Sequence, residues 1–150
     1  MAGGGWLDGG AEMPLHLEIV TAERHVLSDD VDQINAPTLD GRIGILPKHM
    51  PLITVLSEGE LSIIKGGVRT EFAVFGGFME VLPDRVTILA DSCDRSDEID
   101  LERAEEARRN AEERIAQRKS DQDLALAEAD LRRSLMQIRV AQARKAKNNA

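Results

Sequence analysis

The stretch GELSIIKGGVRTEFAVFGGFMEVLPDRVTILAD, Gly59–Asp91, decides the fold class. Apolar and β-branched residues dominate it, and pairs of turn residues interrupt it at short intervals. Gly66-Gly67 lies between LSIIK and VRTEFAV, and two glycines accept the backbone angles of a two-residue hairpin turn. Gly76-Gly77 and Pro83-Asp84 read as two further turns. The stretch therefore predicts four short strands.

The same pattern extends upstream. LHLEIV, Leu15–Val20, alternates apolar and polar, with Leu15, Leu17 and Ile19 on one face. In VDQINA, Val31 is in register with Gln33, and Ile34 breaks the alternation as a bulge would. GRIGILPKHMPLI, Gly41–Ile53, has glycines at 41 and 44, which suit turn or bulge positions, with Ile43, Ile45 and Leu46 available to a core. Pro47 and Pro51 interrupt pairing and fix a bend. The local reading is a strand-turn-strand corner, and a binding edge is the functional alternative. Many short strands at close spacing predict an antiparallel sandwich or barrel.

At Asp91 the pattern changes. DSCDRSDEID is polar and has no period. From Leu101 onward there is neither glycine nor proline. Leu101, Ala104, Ala107 (or Arg108), Ala111 and Ile115 recur at three- and four-residue steps, as do Leu124, Ala127, Leu131, Leu135, Ile138 and Ala141. RKSDQD separates the two runs, and Ser120 or Asp121 can cap the second. This is an αα-hairpin, with alanines offered by the first helix and leucines by the second. At about 25 cal/mol per Å² of apolar surface, helices this rich in alanine and charge hold together weakly. The expected class is α+β: an N-terminal antiparallel β-sandwich or barrel, then a C-terminal α-helical hairpin. The division is 1–12 a flexible leader or cloning scar, 13–92 the sandwich, 93–100 a linker and 101–150 the hairpin. Residues 1–12 are Gly-rich, with no basic start and no apolar run, so they are no secretory signal, and Met13 is a candidate natural start.

Composition narrows the function. The chain has 150 residues, and no run approaches the roughly 20 apolar residues of a membrane-spanning helix. A single cysteine, Cys93, allows no internal disulfide and points to a reducing compartment. The net charge of −8 is uneven: residues 1–99 hold 17 acids and 7 bases, residues 100–150 hold 10 acids and 12 bases. No acid follows Asp130, whereas Arg132, Arg133, Arg139, Arg144, Lys145 and Lys147 do. The acidic half argues against a nucleic-acid partner. No phosphate-binding loop, HExxH, CxxC or GxSxG is present. His16, His25 and His49 lack ligand spacing, and no metal site is expected. Nothing pairs a nucleophile with a base, so no catalysis by the isolated chain is expected.

DGRIGILPKHMPLITVLSEGEL, FAVFGGFMEVLPDRVTILAD and EIDLERA together resemble the epsilon family of F-type ATP synthase (delta in mitochondria), from about Leu15 to Lys147. The resemblance implies a non-catalytic rotor subunit. Its sandwich would pack on the gamma subunit and on the ring of c subunits, and its helices would regulate ATP hydrolysis by the alpha/beta head. It would sit at the cytoplasmic face of the bacterial cell membrane, associated only through the complex. The corner residues Gly41, Arg42, Gly44, Pro47, His49 and Pro51 would face the ring. Arg42 stands where the family often has an acid. IDLERA matches a family ATP-binding pattern, which implicates Asp94, Asp100, Arg103, Ala104 and Arg133. Read physically, Asp100 can accept from an adenine amino group or cap a helix, and Arg103 can face phosphate or solvent. Asp94 replaces a glutamate of strong binders, and Asn110 and Gln137 replace arginines. Each lost charged hydrogen bond costs roughly 1.5–3 kcal/mol, so weak regulatory ATP binding is expected and no cofactor is required. Arg132, Arg133, Arg139 and Arg144 would make the second helix an inhibitory element. The alternative is a free-standing ATP-sensing adaptor without a rotor role.

Overall fold

A computed structural model describes residues 14–117 and 119–149. The segment read as a leader, Met13 and Arg118 lie outside them. The strands are β1 (Leu15–Val20), β2 (His25–Val31), β3 (Gln33–Thr38), β4 (Gly41–Ile45), β5 (Leu52–Lys65), β6 (Val68–Leu82), β7 (Arg85–Ala90) and β8 (Cys93–Arg95). A single 3-10 turn, Ser96–Glu98, precedes α1 (Leu101–Gln117) and α2 (Asp121–Asn149). The chain forms two compact units, one ending at Cys93 and one beginning at Asp94. No helix among the described residues is long and apolar enough to cross a membrane.

In the first unit the strand order is β2-β1-β7-β6-β5-β3-β4. The alternation in β1 works as written, with Leu15, Leu17 and Ile19 fully buried. β1 runs antiparallel to β2 and parallel to β7. The ladders of β3 with β4 and β5, and of β6 with β5 and β7, are antiparallel. Leu61, Phe72, Val74, Met79, Val81, Val86 and Ile88 fill the core.

Gly59–Asp91 forms three strands, not four. Gly66 and Gly67 make the expected hairpin turn, with φ of 56° and 79°. Both are positive, as a type I′ turn requires. Pro83-Asp84 turns β6 into β7 as expected. Gly76-Gly77, however, lies inside the 15-residue β6. Leu56 pairs with Gly77 and Glu58 with Phe75, so Ser57 and Gly76 are skipped in the β5–β6 register. The pair is a bend, where two long strands pass from one layer to the next. Beyond it, β6 pairs with β7 through Gly77–Leu82, while the other half of β5 pairs with β3. A Cβ on Gly77 would lie 2.7 Å from Ala90 Cα and closer still to Leu89 O. The glycine therefore permits a close approach of two backbones.

The break in VDQINA is also a different feature. Asp32 separates β2 from β3, so Val31 and Ile34 are buried on two strands rather than across a bulge. The register does slip in β3, between Asn35 and Thr38 against β5.

In the second unit each helix has the cap its sequence offers. Asp100 Oδ1 accepts from the Arg103 amide at 3.2 Å, and Ser120 Oγ accepts from the Asp123 amide at 3.1 Å. The buried seam differs from the expected one. Its buried residues are Ala104 and Ala111 on α1 and Ala127, Ser134, Val140 and Ala141 on α2, all but Val140 at seven-residue steps. Such small residues let two helices approach closely. Ala107 is exposed and Arg108 half-buried, so the bracketed alternative holds at that step. Leu131 and Ile138 are half-buried, but Leu135 is 47% exposed and does not belong to the inner stripe.

Candidate functional site

Two groups of sequence-predicted residues come together, each inside one unit. The first is the corner between β4 and β5. Thr38 Oγ1 donates to Gly41 O at 2.6 Å and closes the turn into β4, where Gly41 has φ of 112°. Gly44 is packed beside Asn35, whose Oδ1 would lie 3.3 Å from an added Cβ. The His49 amide donates to Leu46 O at 3.2 Å, which makes Leu46–His49 a tight turn with Pro47 second. Lys48 takes the third position at φ 69°, unusual for a residue with a side chain. The Lys48 amide donates to Pro83 O at 2.7 Å and pins the turn to the β6–β7 connection. His49 Nδ1 donates to Met50 O at 2.7 Å. Arg42 is exposed, and its guanidinium donates to Glu60 O at 2.8 Å. Pro51 is exposed just ahead of β5. The expected corner is present, built by backbone bonds and not by a catalytic arrangement.

Sequence reasoning missed the apolar surface beside this corner. Val55 of β5 pairs with Phe78 of β6, and Phe78 with Leu89 of β7. All three are exposed, and Ile53, two residues before Val55, is 73% exposed. Met50 and Leu46 continue the apolar surface into the turn, at 78% and 57%. The signal was an apolar residue at outward positions of VTILA and GGFMEV, which alternation assigns to solvent. Contiguous exposed apolar residues of this kind mark interaction surfaces.

The second group lies in the helical unit. A cleft of about 270 Å³ is lined by Asp94, Glu98, Ile99, Asp100, Arg103, Ala104 and Gln137. A neighbouring cleft of the same size is lined by Ala107, Asn110, Arg114, Asp130, Arg133, Ser134 and Gln137. Gln137 borders both. Asp94, Asp100, Arg103 and Ala104, implicated by the resemblance, thus line one cleft, and Arg133 lines the other. Asp94 Oδ2 accepts from Gln137 Nε2 at 2.9 Å and faces Arg133 at 3.9 Å. One oxygen of Asp100 is already engaged by the cap, so Asp100 is a helix cap first. Arg114 pairs with Asp130 across the two helices at 2.7 Å, exposed on both sides. The arginines of α2 do not converge. Helical geometry puts Arg132 and Arg139 on one face and Arg133 and Arg144 on another.

His16 and His25, distant in sequence, both approach Glu18 on the β1–β2 hairpin, at 3.5 and 3.8 Å. A hydrogen bond to Asp30 at 2.9 Å raises the affinity of His16 for its proton, with burial opposing and Glu18 adding to the rise. Ser28 and then His16 hold Glu18 below the usual carboxylate range. Among the described residues no His, Cys, Asp or Glu group is arranged to hold a metal ion. Cys93 is buried.

A sandwich with an apolar flank and a corner, followed by a small-residue helical hairpin, is the plan of one known class of subunit. Residues 14–96 match the family "ATP synthase, Delta/Epsilon chain, beta-sandwich domain", and residues 97–142 match "ATP synthase, Delta/Epsilon chain, long alpha-helix domain". The chain belongs to the ATP synthase delta/epsilon family, as an epsilon subunit of the F-type enzyme. It is 64% identical to an ATP synthase epsilon chain of Chloroflexus aggregans, over 90% of this chain and 97% of that one. It is 57% identical to the epsilon chain of Herpetosiphon aurantiacus, over 89% and 98%. The fold is shared with a chain in the mitochondrial ATP synthase of Euglena gracilis, with a TM-score of 0.66 at 24% identity, covering 80% of this chain and 76% of that one. The protein is accordingly a non-catalytic subunit of the ATP synthase complex.

Proposed function

We propose that this subunit belongs to the central rotor stalk, couples ring rotation to the catalytic head through gamma, and restrains ATP hydrolysis through its helices. The observation that carries the docking half is the exposed row Val55, Phe78 and Leu89 with Ile53 beside it, on the outward face of three adjacent strands. An apolar row of this kind suits the gamma subunit, and the turn-built corner at Gly41–Leu52, where Arg42 and Lys48 are exposed, suits the polar loops of the c ring. The chain would then stand at the cytoplasmic face of the bacterial membrane, held there by its partners.

The regulatory half is supported by the thin seam of the hairpin and by the basic charge of α2. A seam of alanines with one serine and one valine buries little area, so a few kcal/mol of differential contact shifts α2 between a folded and an extended position. Extended, Arg132, Arg133, Arg139 and Arg144 would meet acidic loops of the catalytic head. Nucleotide in the hairpin cleft would be a weak modulator. Asn110 and Gln137 are neutral, and Asp100 is engaged in capping.

The test is co-purification with gamma and steady-state hydrolysis by the reconstituted enzyme. The unaltered chain should form a one-to-one complex with gamma, and Phe78→Asp should lose it without loss of fold. A chain ending at Lys119, or one with the four arginines changed to alanine, should hydrolyse ATP faster with gamma still bound. A free-standing adaptor would leave gamma behind in every case. Equal hydrolysis rates with gamma bound would remove the restraint.

A further inference from the structure

The cleft in the helical unit is bordered by a carboxylate that already has a partner within it. Asp94 precedes the 3-10 turn and lies 43 residues from Gln137 in sequence. Its Oδ2 nevertheless takes a direct bond from Gln137 Nε2 at 2.9 Å, with the Arg133 guanidinium at 3.9 Å. Arg133 and Gln137 are four residues apart, on one face of α2. Their donors are those that an anionic group lying over this part of α2 would require, and a carboxylate oxygen offers them the same charge and acceptor geometry. Only 27% of the Asp94 side chain is exposed, so solvent screens the contact less than it screens the Arg114–Asp130 pair.

We propose that Asp94 is an internal clasp: it holds α2 to the segment before α1 by accepting from the Gln137 amide, with the Arg133 guanidinium nearby, and it needs no nucleotide to do so. The folded hairpin is then complete in the free chain. Any anion that takes the Gln137 amide in the cleft has to compete with Asp94 for it. Departure of α2 from the segment before α1 has to break the Asp94–Gln137 bond. The clasp is a property of this chain alone, and only its consequence for hydrolysis rests on the rotor reading.

Hydrogen exchange on the isolated full chain tests it. In Asp94→Ala, amides of α2 around Gln137 should exchange about fivefold faster, the size of one net hydrogen bond, while core amides of β1 and β7 stay unchanged. Gln137→Leu should give the same rise, and the double variant no more than either single one. Asp94→Asn keeps an acceptor oxygen for Gln137 and should stay near the unaltered rate. Unchanged exchange in Asp94→Ala, or two single effects that add in the double variant, would overturn the clasp. So would slower exchange at Gln137 when ATP is added to the unaltered chain, because the hairpin would then be completed by nucleotide.

Discussion

The sandwich and the hairpin bury different kinds of side chain. The sandwich closes over Phe72, Met79 and a dense set of Leu, Ile and Val, all with almost no exposure. The hairpin closes over four alanines, a serine and one valine, with leucines such as Leu126 and Leu135 left outside. Burial of large apolar groups fixes a structure firmly, whereas a small-residue seam gains from close approach and gives up area. One half of the chain therefore has a dense core of large side chains and the other a thin seam of small ones. The difference supports the division between docking and regulation proposed above.

The comparison can be broken hardest at Gly77. A side chain there meets the backbone of Leu89 and Ala90, and the φ of 120° disfavours any residue but glycine. Gly77→Ala should destabilise the sandwich by about 3 kcal/mol or more, read as a fall in its thermal midpoint. A midpoint within a degree or two of the unaltered chain would show that the bend adapts. Ala111→Leu probes the other half. Forcing a leucine into the seam should cost the hairpin about 1–3 kcal/mol. Helical circular dichroism should fall while the sandwich melts as before. A joint loss of both signals would mean that the two regions do not differ in the way described.

The smallest effect concerns pH and belongs to the sandwich alone. Asp30 raises the pKa of His16 above its ordinary 6.5. The folded state thus favours the protonated ring. This contribution is fully present below pH 6.5 and is lost as pH rises through the raised value. His16 lies in an exposed hairpin, so the effect is slight. Its nuclear magnetic resonance titration should midpoint above 6.5 and return towards it in Asp30→Asn. An unchanged midpoint would show that Asp30 is not the cause.

Much of this was legible in the sequence, and the failures have physical reasons. Alternation placed Leu15, Leu17 and Ile19 because a two-residue period leaves one choice of face. Gly66-Gly67 was readable because both angles are local. Gly76-Gly77 was misread as a turn because a glycine pair looks the same whether it ends a strand or bends one. What separates the cases is the approach of Leu89 and Ala90, which is not local. The hairpin seam was misassigned because α2 carries apolar residues on several faces, and the alanines of α1 select the small ones. The corner was read correctly as a bend, but the apolar row beside it needs the β5–β6–β7 register to be seen at all. Asp94 entered only through family resemblance, since nothing in the sequence brings it to Gln137.

The bend at Gly76–Gly77 also has a mechanical consequence. Because β5 and β6 run on through both layers, neither layer can slide over the other without stretching or bending a continuous polypeptide. Shear is resisted by covalent bonds as well as by side-chain contact. β5 starts at Leu52, directly after the corner, and ends at Lys65 beside β3. A sideways push on the corner is thereby carried across the whole sandwich along one backbone, and the body moves as a stiff block.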